Sequence, residues 1–331
     1  MYMTSKQGIL FLLISLFSGS YLIAQDPVYS HFYANSIQLN PGLAGIEGPA
    51  RVYIGYRNQW PNSGSSYITY QAAYDQYVEK LQGGIGVRVL NDKQGGGVFN
   101  AYNLDLMYSY QFKVSRFWNF SGGLQAGMGQ RSFNPGSLVF GDMINPINGT
   151  LVQGLDQLNG YSRIYPDFAA GFSGFYKNMY GGIALHHLFN PVITSGSDPT
   201  GTVPRKFSAH LGAIIPIIQK RLGKEIMQLS PNFVFIQQQN IQQINYGLDM
   251  VFRDFLLGLW TRHDFLFNYG NIIFTAGYGT NTMRFRYSYD VKLSSPALRI
   301  PNMGAHEFSL LIIYDSSGIR NKRSAIKYPK F

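Results

Sequence analysis

The chain has no cysteine, and only 13% of its 331 residues are charged. The first absence excludes a disulfide framework and any thiolate metal site. The second separates it from ordinary soluble domains, in which about a quarter of residues carry charge. It also lacks any apolar run of the roughly 20 residues that a membrane-spanning helix needs. No G-x-S-x-G, phosphate loop, EF-hand or Cys/His cluster occurs, so the common hydrolytic, nucleotide-binding and metal-binding classes have no foothold. Present instead are 24 Tyr, 24 Phe and 37 Gly. Low charge with many aromatics and glycines, at a mean hydropathy near zero, results when half of each strand faces lipid and half faces a polar lumen.

The one sustained apolar run is Ile9 to Phe17, preceded by Lys6 and followed by Ser18, Gly19, Ser20 and Ala24. Residues 1–24 therefore read as a signal peptide, with cleavage expected between Ala24 and Gln25, although Leu22 suits the −3 position poorly. The net charge of +10 would suit nucleic acid, but export argues against that partner. Much of the excess lies in the tail 316–331, where Arg320, Lys322, Arg323, Lys327 and Lys330 stand with no acid among them.

From Ala50 onward the hydrophobic period is two. In Ala101 to Lys113, the set Tyr102, Leu104, Leu106, Tyr108, Tyr110 and Phe112 alternates with Asn103, Asp105, Met107, Ser109 and Gln111. Only a strand puts those sets on opposite faces. The same test throughout predicts about fourteen strands, each near the 9–11 residues of a tilted membrane strand. Their expected centres are Ile54, Tyr70, Val87, Leu106, Leu124, Ala170, Ile183, Leu211, Phe233, Leu248, Leu257, Phe274, Phe285 and Leu310. Long connections (Arg131 to Arg163, Leu188 to Arg205, Lys292 to Met303) alternate with short ones such as Lys177-Asn178 and Arg253-Asp254. The prediction is an all-β, transmembrane, antiparallel up-and-down barrel over 50–315, with both termini periplasmic and the long loops outside. Segment 25–49, broken by Pro27 and Asn40-Pro41-Gly42, is expected to be irregular and to lie at the periplasmic end or plug the lumen. The tail 316–331 is expected to be a periplasmic arm, because lysine and arginine in lipid would each cost about 2–4 kcal/mol at the midplane. A soluble sandwich or propeller also alternates, but would not collect its charged and amide residues on one strand face and Tyr and Phe at the ends of the other.

No catalytic, metal or cofactor site is read. His186-His187 ends a strand, where adjacent side chains point to opposite faces and cannot chelate one ion. His263-Asp264 reads as a polar loop-edge pair. Gly83-Gly84-Ile85-Gly86 suits barrel curvature and Gly95-Gly96-Gly97 a turn. Arg51, Arg57, Arg88, Arg284 and Arg286 share a face pattern with Asp105, Asp249, Asp290 and Glu307, which suggests a lumen braced by ion pairs in preference to a selective pore.

Several segments resemble the PorP/SprF family of type IX secretion membrane proteins of Bacteroidetes. Gln25-Asp26-Pro27 with Asn40-Pro41-Gly42-Leu43-Ala44-Gly45 is similar to that family's Q-D-P and N-P-A-x-x-G opening. Tyr56-Arg57-Asn58-Gln59-Trp60-Pro61 is similar to its Y-R-N-Q-W-P, and Gly83, Gly84 and Gly86 with Asp92 to its G-G-I-G strand and aspartate. Ser288-Tyr289-Asp290 and the run Gly304, His306, Glu307, Ser309 and Leu310 are similar to its S-Y-D and G-x-H-E-x-S-L. Gly42 stands where the family has Ala, and Ser36 where a first Asn-Pro is expected. The resemblance implies a non-catalytic outer-membrane barrel of the secretion and gliding machinery. Its implied partners are a secreted cell-surface protein with a C-terminal sorting domain, translocon and periplasmic ring components, and outer-membrane lipid. The rival expectation is a general porin or small-solute channel.

Overall fold

The computed structural model describes residues 26–61, 66–138, 143, 159–193, 201–219, 225–266, 270–293 and 304–314. The signal-peptide reading, the basic tail and most of the longest loop lie outside the described residues. The strands are β1 (Ala50–Gln59), β2 (Tyr67–Val78), β3 (Gly83–Gln94), β4 (Phe99–Lys113), β5 (Trp118–Phe133), β6 (Tyr161–Tyr176) and β7 (Met179–His186). They continue as β8 (Lys206–Ala213 and Ile215–Gln219), β9 (Glu225–Gln238), β10 (Ile241–Phe252), β11 (Phe255–His263), β12 (Asn271–Gly279), β13 (Met283–Lys292) and β14 (Ala305–Tyr314). Every strand pairs antiparallel with its sequence neighbours. The ladder from Ala50↔Tyr314 to Gln59↔Ala305 joins β1 to β14 and closes a 14-stranded barrel. Closure satisfies the backbone of the wall without water, which a bilayer requires.

All fourteen predicted centres fall inside strands, including Leu257 in β11. The two parts of β8 run along the same neighbour, β9, and are separated by Ile214, which is buried and donates its N–H to Asn178 O at 2.8 Å. Alternation could not reveal that break. The longest loop is shorter than predicted, because Arg131 and Arg163 are paired within β5 and β6 and the connection is only 134–160.

The outer face carries large apolar side chains in the open: Leu106 is 58% exposed, Leu124 65% and Leu257 56%. Moving each such side chain out of water is worth about 1.5–3 kcal/mol, which lipid supplies and a water-bathed sheet would forgo. Aromatics mark the two rims. Trp118 stacks beside Phe120 and Tyr176 at the short-turn end, while Phe133 sits 5.0 Å from Phe99 and 5.9 Å from Tyr161 at the long-loop end.

The lumen is filled by the chain's own N-terminal segment. Every residue from Ser30 to Ile46 except Gln38 is buried. A helical turn over Ser36–Leu39 and a 3-10 turn over Pro41–Leu43 give it bulk. Phe32, Tyr33, Leu43 and Ile46 pack on Tyr180, Val234, Trp260 and Ile273 of the wall, so part of the inner face is an apolar core. Ile37 and Ala44 pack on Tyr53, Ala73, Met107 and Leu311. This contact explains Gly84 better than curvature does: a Cβ there would lie 1.9 Å from Ala44 O, so only glycine lets segment and wall meet. The turn at Gly95–Gly97 has positive φ at all three residues, as a glycine turn allows.

Candidate functional site at the long-loop mouth

The N-terminal segment runs the length of the lumen and is held at four levels. Its far end, beside the short turns, places Gly45 N–H 2.7 Å from Asp75 Oδ2, while Asp75 pairs with Arg51, and Glu47 pairs with Arg51 and Arg284. Midway, Asn40 is fully buried. Its amide donates to Phe172 O, Ser173 Oγ and Ile183 O, and its Oδ1 accepts from Gly42 N–H at 2.8 Å. The Asn40-Pro41-Gly42 motif is thus a turn anchored on β6 and β7, and Pro41 gives up no ladder bond because none passes through it.

The third level draws together motifs far apart in sequence. Arg57 on β1, Asp290 on β13 and Glu307 on β14 lie on adjacent strands, all buried. Arg57 reaches Asp290 Oδ2 and Glu307 Oε2, each at 2.9 Å, and Arg262 from β11 reaches Asp290 Oδ2 at 3.0 Å. Two guanidinium groups against two carboxylates leave little net charge. The remaining acceptor capacity goes to the segment: Ser30 N–H donates to Glu307 at 2.7 Å, Ser30 Oγ to Asp290 at 2.8 Å, and His31 N–H to Glu307 at 3.1 Å. Arg262 also donates to Tyr29 O at 2.6 Å. Burial, with Arg286 and Arg57 nearby, holds His31 below its ordinary pKa, so its neutral ring hydrogen-bonds Ser309 at 2.9 Å.

The motif residues divide by face. Arg57, Ser288, Asp290 and Glu307 point inward; Tyr56 and Tyr289 sit on the outer side, where Tyr287 OH lies 2.9 Å from His306 Nδ1. The Tyr56 ring lies 5.3 Å from that of Tyr70, and the Tyr289 ring 4.8 Å from that of His306, both pairs tilted. Asn58 is opposite His306 in the ladder, and Trp60 N–H donates to Gly304 O at 2.9 Å. The predicted inward charges Arg51, Arg88, Arg284, Arg286, Asp105 and Asp249 are all buried, with Arg88 bound to Asp105. Sequence reasoning named Asp26 only within a motif and missed Asp75, Asp167 and Arg262. The alternation of these three was readable, but their partners were not: Asp75 meets Arg51 across the β1–β2 ladder, Asp167 meets His187 past the end of β7, and Arg262 reaches Asn245 on β10 and Asp290 on β13, contacts fixed by register and side-chain reach.

The fourth level is the mouth itself. Asp26 sits among Lys206 Nζ, His187 Nε2 at 3.0 Å and Arg131 Nη2 at 3.5 Å. Burial would raise the carboxyl, but these three cations outweigh it and hold it well below the usual carboxylate range. His187 also lies 2.9 Å from Asp167, and although burial opposes its charge, the two acids push its pKa up to about 9. The prediction that the paired histidines face opposite ways is overturned: His187 turns out of β7 at a φ of 55°, so both rings are buried, and His186 lies 3.4 Å from Leu39 O. Among the described residues, no cluster of His, Asp or Glu is arranged to hold a metal. On the β1 and β10–β14 side of the mouth, a cavity of about 590 Å³ meets the segment at Val28 and is bordered by Trp60, Arg262, His263, Phe265, Leu266 and Lys292.

The family model described as type IX secretion system membrane protein PorP/SprF matches residues 22–312. The chain belongs to this family. Its members are outer-membrane barrels, which agrees with the lipid-facing wall. No curated protein matches the sequence. Among solved structures, the chain is similar to a FadL homologue of Pseudomonas aeruginosa, with 10% identity, TM-score 0.48, and coverage of 91% of this chain and 97% of that one. It is also similar to the Pseudomonas putida toluene transporter TodX, at 9% identity and TM-score 0.47 over 86% of this chain and 95% of that one. A third is the Acinetobacter baumannii outer membrane protein Omp33, at 8% identity and TM-score 0.44, covering 82% and 100%.

Proposed function

We propose that the chain is a non-catalytic, plugged barrel that assists export of a secreted protein with a C-terminal sorting domain or holds it at the cell surface. It works beside the type IX translocon and periplasmic ring. The observation that carries this reading is the filled lumen: the wall's buried charges are spent on the N-terminal segment, at Asp290 and Glu307 for Ser30 and at Asp75 for Gly45. A general porin keeps such groups free to line water. Both strand termini emerge at the short-turn end, which is periplasmic in outer-membrane barrels, so the long-loop mouth and its 590 Å³ cavity face outside. The exported partner is met there, and the tail 316–331 offers its basic residues to an acidic face of the periplasmic ring.

The test is deletion of the gene followed by proteomics of the shaved cell surface and the culture medium. Loss from the surface of one or a few proteins ending in a sorting domain is expected, together with their recovery on the barrel in envelope pull-downs. An unchanged surface would refute the proposal, and a steadily open channel in planar bilayers would favour the porin.

A further inference from the structure

The described part of the N-terminal segment begins at Asp26, which lies at the long-loop mouth, the opposite end from the start of β1, into which the segment runs. Its carboxylate is gripped by cations from three places: Arg131 on β5, His187 just past β7 and Lys206 opening β8. The cations are nearly enclosed, with side chains 11%, 7% and 13% exposed. A fourth bond runs from Asp26 N–H to Gln238 Oε1 at 3.1 Å. The strap Asp26–Val28 borders two cavities, one of about 590 Å³ and one of about 280 Å³ on the Thr69 and Asp92 side. Both are lined by Val28, Arg57 and Gln59, so the strap partitions a single vestibule.

We propose that Arg131, His187 and Lys206 form a carboxylate-binding site at the cell-surface mouth, which Asp26 occupies as an internal ligand exchangeable for a carboxylate of an extended polypeptide. This rests on the reading that the mouth meets the exported partner. Arg131 offers a charged planar fork, Lys206 a mobile ammonium and His187 an imidazolium kept charged by Asp167, a set that suits a carboxylate whether it is a chain terminus or an acidic side chain. Asp26 is tethered, and a short tether gives an internal ligand an effective concentration on the order of millimolar. A bare carboxylate therefore does not displace it. A peptide does, because it can also cover Phe265 and Leu266, which are 55% and 77% exposed beside the larger cavity. Exchange lifts the strap and merges the two chambers.

The chain's lack of cysteine makes the test direct. Val28→Cys in the full-length protein, in proteoliposomes and on intact cells, is labelled with a membrane-impermeant maleimide, and heat-modifiable migration confirms the fold. Three Phe- and Leu-containing decapeptides serve as probes: one with a free terminal carboxylate and no acidic residue, one amidated with an internal Asp, and one amidated without acid. Labelling from outside the cell is expected, accelerated several-fold by one or both carboxylate peptides and not by the third or by acetate. Asp26→Asn should raise basal labelling and tighten binding of the same peptide measured by fluorescence anisotropy, and Lys206→Met should abolish the peptide effect. Absence of labelling on intact cells overturns the placement of the strap. If Asp26→Asn loosens the strap yet no carboxylate peptide binds, the cations are a fixed latch and the proposal fails. Peptide binding without any change in surface proteins on gene deletion would keep this site and remove the export reading.

Discussion

Both ends of the luminal segment are held by ion pairs and hydrogen bonds, but only one is also interlocked. At the short-turn end, beside the Asp75 and Glu47 contacts, Ala44 and Gly45 press on Gly84 so closely that a single Cβ would collide with backbone, whereas the two cavities described above touch the segment only at Asp26, Pro27 and Val28. At the long-loop end, the contacts are ion pairs and hydrogen bonds, with open volume beside them. Steric interlock tolerates no partial motion, since interiors are packed as densely as crystals. Charge contacts can be exchanged for others of the same kind. One end is therefore a fixed joint and the other a mouth.

The largest effect on that contrast should come from removing the segment. Deleting 26–49 should convert a closed barrel into one with steady single-channel conductance in planar bilayers; a closed deletion variant would mean that the wall collapses inward on its own. Next is the node below the mouth. Glu307→Ala leaves Arg57 short of an acid and Ser30 and His31 N–H groups without an acceptor, and should cost about 3–5 kcal/mol. It is read as a drop in the temperature at which the heat-modifiable band unfolds, whereas an unshifted midpoint would show that water replaces the carboxylate. Gly84→Val should cost about 1–3 kcal/mol and expose a cysteine placed at Ile46 to labelling from the periplasmic side, without exposing one at Val28.

A pH series separates the ends more gently. The contribution of His187 is fully present below its ordinary 6.5 and lost as pH rises through about 9. That of Asp26 is fully present above 3.8 and lost as pH falls through its depressed value. Lys206, Arg131, His186, Asp167 and Asp92 also face this cluster. Labelling of Val28→Cys should therefore rise above pH 9, beyond the thiol's own ionisation measured on a peptide, and His187→Gln should remove the step. The smallest effect on stability is expected from replacing Arg320, Lys322, Arg323, Lys327 and Lys330 with Gln: within about 0.5 kcal/mol, with reduced export in the same cells.

Much of the wall could be read without coordinates, because a period of two writes each strand's face directly into the sequence, as in β4 from Tyr102 to Phe112. The inward arginines and acids were legible for the same reason. What alternation cannot carry is which strands become neighbours through closure. Arg57, Asp290 and Glu307 were each recognisable, yet nothing local says that one guanidinium bridges the other two. Backbone departures were equally hidden: the break at Ile214 and the left-handed turn at His187 look like any other residues in a strand pattern. The course of residues 26–49 depends on packing against β3, β6 and β7, for which a motif such as Asn40-Pro41-Gly42 gives a turn but no address.

The node also sits astride the one joint that chain connectivity does not make. Arg57 belongs to the first strand and Glu307 to the last, they face one another in the ladder, and Ser30 is bonded to both. Strands later in the chain are synthesised after the segment, so the cylinder is complete only when this seam zips. Sealing the seam and seating the segment therefore favour one another: Arg57 and Glu307, which bridge the first and last strands, are the groups that hold Ser30, so each contact lowers the cost of the other.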